Sequence, residues 1–138
     1  MERACSNALA LAEHIQKTYP EIKVNYPGLP DSHWHEIAEK QFPGYYGAIL
    51  TLRTGSRESA FRLINALKLP LKVSNIGDTK TLVIHPESTI SVHSTEEEKK
   101  ALEKSYIRIG NNIYDAELAQ GRIHFAGVRP DEIEKPVI

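Results

Sequence analysis

Proline and glycine cut this chain into short pieces. Tyr19-Pro20, Pro27-Gly28-Leu29-Pro30, Pro43-Gly44 and Gly55 each interrupt a patterned run, so each element must be short. Ahead of the first break, Ala4, Ala8, Leu11, Ala12 and Ile15 recur at helical spacing while Glu13 and Lys17 fall elsewhere, which predicts a helix. Tyr19-Pro20 stops it, because a residue before proline is pushed out of the helical region. A short extended piece follows at Ile22 to Asn25, then a turn at Tyr26 to Pro30. Asp31 or Ser32 can cap a second helix on which Trp34, Ile37 and Ala38 share a face. Tyr46 to Arg53 alternates as a strand, with Ala48, Leu50 and Leu52 opposed to Ile49, Thr51 and Arg53. Ser56 can cap a third helix that carries Ala60, Ile64 and Leu67 inward. Two short strands are predicted around Leu71 to Val73 and Thr81 to Ile84, separated by a loop containing Ile76-Gly77-Asp78. Thr95 and Glu98 form a capping box in sequence, each able to satisfy a backbone N–H of the other, and predict a fourth helix. Tyr106 to Ile109 is the last clear strand.

Helices alternating with short strands fit an α+β two-layer sandwich, one sheet with helices on one face. At 138 residues the chain holds one domain and can bury a core without covalent staples. Seventeen Lys and Arg against eighteen Asp and Glu give a net charge of -1. That balance lacks the basic face that nucleic acid requires. The single cysteine, Cys5, excludes a disulfide framework and a cysteine-rich zinc site. No apolar run reaches the roughly 20 residues that span a bilayer, and the N-terminus lacks the pattern of a signal peptide. A soluble protein of a reducing cytoplasm, with no nucleic-acid or membrane partner, is the expectation.

The residues offer little ready-made chemistry. There is no phosphate-cradling glycine loop. His33 and His35 flank Trp34, a spacing that points the two rings to different sides of a helix and away from a shared metal. His85-Pro86 ends a strand, and His93 and His124 have no evident partner. Cys5, within the first helix, reads as a buried inert thiol. Arg108 stands apart. It alternates with Ile107 and Ile109, so if those two face the core, its guanidinium projects from the opposite face of the strand. A planar guanidinium on a rigid strand suits bidentate capture of a carboxylate, although a solvated arginine is the commoner outcome of such a pattern. The polar loop Ser74 to Asp78 could bring an amide and backbone N–H groups to the same anion.

Several segments resemble one family. Asn7 to Ala12, Val24 to Pro30, Ala66 to Leu69, Asn75 to Leu82 and His85-Pro86 match, in order, the C-terminal domain of the Cys/Met-metabolism enzymes that use pyridoxal phosphate. The stretch Asn75 to Pro86 is most similar to O-acetylhomoserine sulfhydrylases, with methionine γ-lyase and the cystathionine enzymes more distant. The resemblance implies a small, largely antiparallel sheet with helices on one side, as in the C-terminal domain of fold-type I aminotransferases. It makes residues 1–120 that domain and 121–138 a divergent tail. It also implies that Arg108 and Asn75 bind the substrate's α-carboxylate.

Departures from the family are equally informative. Its cofactor lysine, ring-holding residues and phosphate site belong to a large N-terminal domain without a counterpart here, so no cofactor is expected in this chain. Thr89-Ile90-Ser91 stands where the family has Thr-Thr-His, and Gly110-Asn111-Asn112 replaces the residues that follow its arginine. The expectation is therefore a domain of a transsulfuration enzyme, inactive alone. The alternatives are an amino-acid-binding or partner-docking module, or one half of a split enzyme completed by a large pyridoxal-phosphate-binding domain. Self-association is another way to cover its open face.

Overall fold

The computed structural model describes residues 1–89, 93–95, 98 and 106–110. Helix α1 (Glu2–Thr18) leads to strand β1 (Lys23–Asn25), then α2 (His35–Gln41), β2 (Ile49–Arg53), α3 (Arg57–Ala66), β3 (Leu82–Ile84), the single turn α4 (Pro86–Thr89) and β4 (Tyr106–Gly110). The strands form one sheet in the order β1-β2-β4-β3, and every ladder is antiparallel.

The register sorts the residues onto two faces. Leu50 pairs with Ile109 and Leu52 with Ile107, and Val24 and Val83 extend this row to the flanking strands. Directly paired residues share a face, and this row meets Ala8, Leu11, Ala12 and Ile15 of α1 and Ala60, Leu63 and Ile64 of α3 in one buried cluster. Each fully buried Leu or Ile there contributes about 1.5–3 kcal/mol. The sequence pattern thus yields an α+β unit, a small antiparallel sheet with α1 and α3 on one face. Ser56 caps α3 as its residue type predicts, accepting the Ser59 N–H at 3.1 Å.

Other expectations change. Strand β2 begins at Ile49 rather than Tyr46, because Gly47 takes a positive φ of 88° and breaks the extended path. The strand expected at Leu71 to Val73 reduces to one parallel bridge between Leu71 and Leu82. Val73 N–H turns back onto the Leu71 carbonyl at 3.0 Å, so the chain leaves the sheet after one residue. Helix α2 starts after Trp34, not at a cap from Asp31 or Ser32. Successive turns from Tyr26 to His35 carry the chain past those residues, and the Ser32 hydroxyl lies 3.4 Å from the Trp34 N–H instead. Helix α4 was not foreseen, since Pro86 fits the first position of a helix as well as it ends a strand. The Thr95–Glu98 capping box forms, with Thr95 N–H on the Glu98 carboxylate at 2.8 Å and Glu98 N–H on the Thr95 hydroxyl at 3.3 Å. The remainder of that predicted helix, residues 111–138 and the expected boundary at 120 lie outside the described residues.

Tyr26 pins the layers together. Its ring is fully buried, and its hydroxyl reaches the carbonyls of Gly47 at 2.8 Å and Cys5 at 3.3 Å, tying the β1–α2 turn to α1 and to the approach to β2. Burial pushes its phenol well above the usual tyrosine range, so it serves as a neutral donor. Gly28 makes this packing possible: a Cβ there would lie 2.5 Å from Tyr26 Cε1 and 2.8 Å from Tyr46 Cδ2. Gly28→Ala is expected to lower stability by about 1–3 kcal/mol through overpacking. Tyr26→Phe, which strips a buried donor from two carbonyls, is expected to cost about 1–3 kcal/mol. Urea unfolding of both variants checks this, and a loss below roughly 0.5 kcal/mol would show that the turn relaxes freely.

Candidate functional site

The face of the sheet turned away from α1 and α3 carries the candidate site. Arg108 stands in the middle of β4, in register with Thr51 on β2 and Ile84 on β3. Ile107 and Ile109 are buried on the core side, so Arg108 projects from the other face, where it is half-buried. In the next pair along, Gly110 stands between Ile49 and Leu82, leaving space beside the guanidinium. Ile49, Leu82 and Ile84 line a concavity of about 450 Å3, together with Val73 and Ile76 from the loop and Met1, which precedes α1.

The loop before β3 is shaped by its own polar groups. Asn75 Oδ1 accepts the Ile76 N–H at 2.8 Å, and Gly77 turns the chain at a φ of +77°. Asp78 accepts the Lys80 N–H at 3.1 Å and the Thr79 hydroxyl at 3.4 Å. Those bonds, the Lys80 N–H foremost, hold its carboxyl below the usual aspartate range. The loop returns to the sheet at Leu71, whose N–H and carbonyl bond Thr81 and Val83.

The two residues singled out in sequence come together. Arg108 Nη2 donates to the main-chain carbonyl of Asn75 at 3.1 Å, across 33 positions of sequence. The contact runs through the backbone rather than the Asn75 amide, whose oxygen serves Ile76. Arg108 and Lys80, set against Asp78, give this cavity a net positive lining. It is suited to one anionic group held beside apolar surface.

The other candidates lie apart. His35 is half-buried, with Nδ1 2.9 Å from the Pro27 carbonyl and its ring against Tyr46, while the exposed His33 ring meets Trp34 edge-on. Cys5 is buried and unpaired with any other cysteine. Sequence reasoning missed a second cluster at the end of β3. His85 is buried against Phe61, with Nδ1 2.9 Å from Ser88 Oγ, and Glu87 bridges towards Arg57 at 3.7 Å. Its signal was available, since Ser88 follows His85 at helical spacing. His93 is exposed, and His124 lies outside the described residues.

A pyridoxal ring needs a lysine to bond, a carboxylate beneath its ring nitrogen and a cradle of N–H groups for its phosphate, all in one enclosed cleft. The concavity offers Lys80 and Asp78 only as close neighbours on one exposed loop, with the Asp78 carboxylate turned onto that loop's own backbone. These residues do not fit the group.

The described residues thus form an antiparallel α+β sheet with one face under helices and a cation on the other. The chain belongs to the Cys/Met metabolism PLP-dependent enzyme family, which it matches over residues 1–117. It is 43% identical over 99 residues to O-acetyl-L-homoserine sulfhydrylase 1 of Thermus thermophilus, covering 71% of this chain and 24% of that one. With the homocysteine synthase of Schizosaccharomyces pombe it shares 38% identity over 117 residues, 82% of this chain and 27% of the relative. A solved O-acetylhomoserine sulfhydrylase of Wolinella succinogenes superposes with a TM-score of 0.69 at 34% identity, covering 89% of this chain and 34% of that one. The chain therefore spans about a quarter to a third of the relatives it matches. Among the described residues no helix is long and apolar enough to cross a membrane.

Because the Asp78 pKa is depressed in the fold, its bonds stabilise the loop above the unfolded aspartate pKa and are lost as pH falls through the lowered folded value. An NMR titration is expected to place the Asp78 midpoint below that of an aspartate in a short peptide, with the Lys80 amide shifting in step. A normal midpoint would show that the turn does not persist in solution.

Proposed function

We propose that this chain is the substrate-carboxylate-binding C-terminal domain of an O-acetylhomoserine sulfhydrylase-type enzyme, and that it does not carry out sulfhydrylation alone. The observation that carries this reading is Arg108, held on a strand over an apolar concavity and beside Asn75. The guanidinium binds the α-carboxylate of an amino-acid substrate and so fixes its orientation, while Ile49, Leu82 and Ile84 exclude water from one side. Asn75 positions the guanidinium through its carbonyl. The family relationship and the similarity to sulfhydrylases support this substrate class. The fold class, at its finest, is that of a fold-type I aminotransferase C-terminal domain, with residues 1–120 forming it and 121–138 a tail.

The cofactor is held elsewhere on this reading, in a large domain corresponding to the part of the relatives that lies outside the matched segment. One solved relative, an O-acetylhomoserine (thiol)-lyase of Campylobacter jejuni with 30% identity and a TM-score of 0.74, carries a pyridoxyl-lysine. Pyridoxal phosphate supplies an electron sink when bound; an arginine clamp supplies binding and orientation but no such sink.

Treatment of the chain with pyridoxal phosphate and borohydride is expected to give scattered, substoichiometric labelling. One stoichiometric adduct on a single lysine would overturn the assignment of the cofactor to another domain. Grafted in place of the matched segment of the Thermus enzyme, the chain is expected to support sulfhydrylation. In that chimera Arg108→Ala should lower kcat/KM for O-acetylhomoserine by roughly a hundredfold or more, and Arg108→Lys should restore only part of it. Unchanged kinetics would remove Arg108 from the site.

A further inference from the structure

Gly110 is the one glycine among the described residues that the fold itself does not require. Every other has either a positive φ or, at Gly28, a Cβ position already filled by Tyr26 and Tyr46. Gly110 has neither: its φ is not positive, and among the described residues a Cβ there would meet no atom within 4 Å. It does not mark a bulge, since it stays in register with Ile49 on one side and Leu82 on the other. Glycine in a sheet packs nothing and loses more freedom on folding than any other residue. What it provides in exchange is room for something to approach the backbone closely.

That room lies beside the cation. Residues two apart on a strand share a face at a separation of about 7 Å, and Arg108 and Gly110 both line the concavity. The strands flanking β4 stand roughly 10 Å apart across it, a width that admits one methylene chain between the side chains of Ile49 and Leu82. Both walls are aliphatic and offer no hydrogen bond, so a polar group entering the notch would lose its water without replacement. Leu82 and Ile84 are buried although they stand outside the core cluster beneath α1 and α3, so this side of the notch is already formed. Arg108 and Lys80 against Asp78 leave a single net positive charge, which suits one anionic group. We infer that Gly110 is a specificity-determining residue, and that its notch selects small carboxylates carrying an unbranched aliphatic tail. The anion lies on the Arg108 guanidinium and the tail runs over the Gly110 backbone between Ile49 and Leu82. This rests on the reading of Arg108 above and adds what is selected beyond the carboxylate.

The test is an NMR titration of the full chain with hexanoate, acetate and hexylamine, read at the Gly110 amide and the Arg108 side chain. Hexanoate is expected to shift both together and to saturate in the millimolar range, at least about tenfold more tightly than acetate, because each buried methylene adds to affinity. Hexylamine, with the same tail and the opposite charge, should shift neither. Gly110→Val fills the notch and should bring hexanoate down to the affinity of acetate, while acetate itself changes by less than about twofold. Gly110→Ala is the milder filling: it should weaken hexanoate by roughly threefold and leave the urea midpoint unchanged or higher. It carries the same test if valine disturbs the fold. Equal affinity for hexanoate and acetate would overturn the notch and leave Arg108 as an anion site. So would a hexylamine shift at Gly110 as large as that of hexanoate, or a marked fall in the urea midpoint of Gly110→Ala, which would make the glycine structural. No saturable shift with hexanoate would also overturn this inference, whereas the Arg108 reading is decided separately by the kinetics of the chimera.

Discussion

The ladder between β2 and β4 is the constraint on which the rest of this structure depends. It joins Leu52 to Ile107 and Ile49 to Gly110, segments far apart in sequence, and it places the two longest of the described strands in the centre of the sheet. Closing so long a loop is entropically costly, and the burial of Leu50, Leu52, Ile107 and Ile109 beneath α1 and α3 offsets that cost. The same ladder fixes the face on which every alternate residue emerges. A slip of one position would bury Arg108 among leucines and expose both isoleucines. The core therefore determines where the guanidinium stands.

This dependence explains what could be read in advance. Ile107 and Ile109 flank Arg108 in a pattern with period two, so the direction of its side chain was legible from three adjacent residues. Helices α1 and α3 were legible for the same reason, through Ala8, Leu11 and Ile15 and through Ala60 and Ile64, whose spacing matches one buried face. The short extended run before β3 was not. Leu71 to Val73 has the composition of a strand, but a hydrogen bond between two of its own residues turns it away after one bridge. Such a choice lies in local geometry that no periodicity records.

The site was half legible. Arg108 and Asn75 were nominated from residue type and from the resemblance, but their actual contact uses a main-chain carbonyl, and backbone atoms leave no trace in a sequence. Lys80 joins the same concavity only because Gly77 and the Asp78 turn fold the loop back over the sheet. Helix α2 shows the opposite failure. Trp34, Ile37 and Ala38 share a face as their spacing requires, yet Trp34 and Ile37 point outward and α2 adds no residue to the core. An apolar face in a sequence announces that something will cover it, and leaves unsaid whether the cover belongs to the same fold.

The bond from Arg108 to the Asn75 carbonyl gives this arginine two competing obligations. It tethers the loop that walls the concavity, and it is also the cation that an incoming anion would seek. Any ligand that draws the guanidinium fully to itself strips a carbonyl of its donor and loosens the wall; one that leaves the tether in place must approach the remaining edge of the fork. On the proposed reading of Arg108, occupancy and loop order would be a single linked equilibrium. An anion that fits is one whose shape accepts the arginine where the loop already holds it.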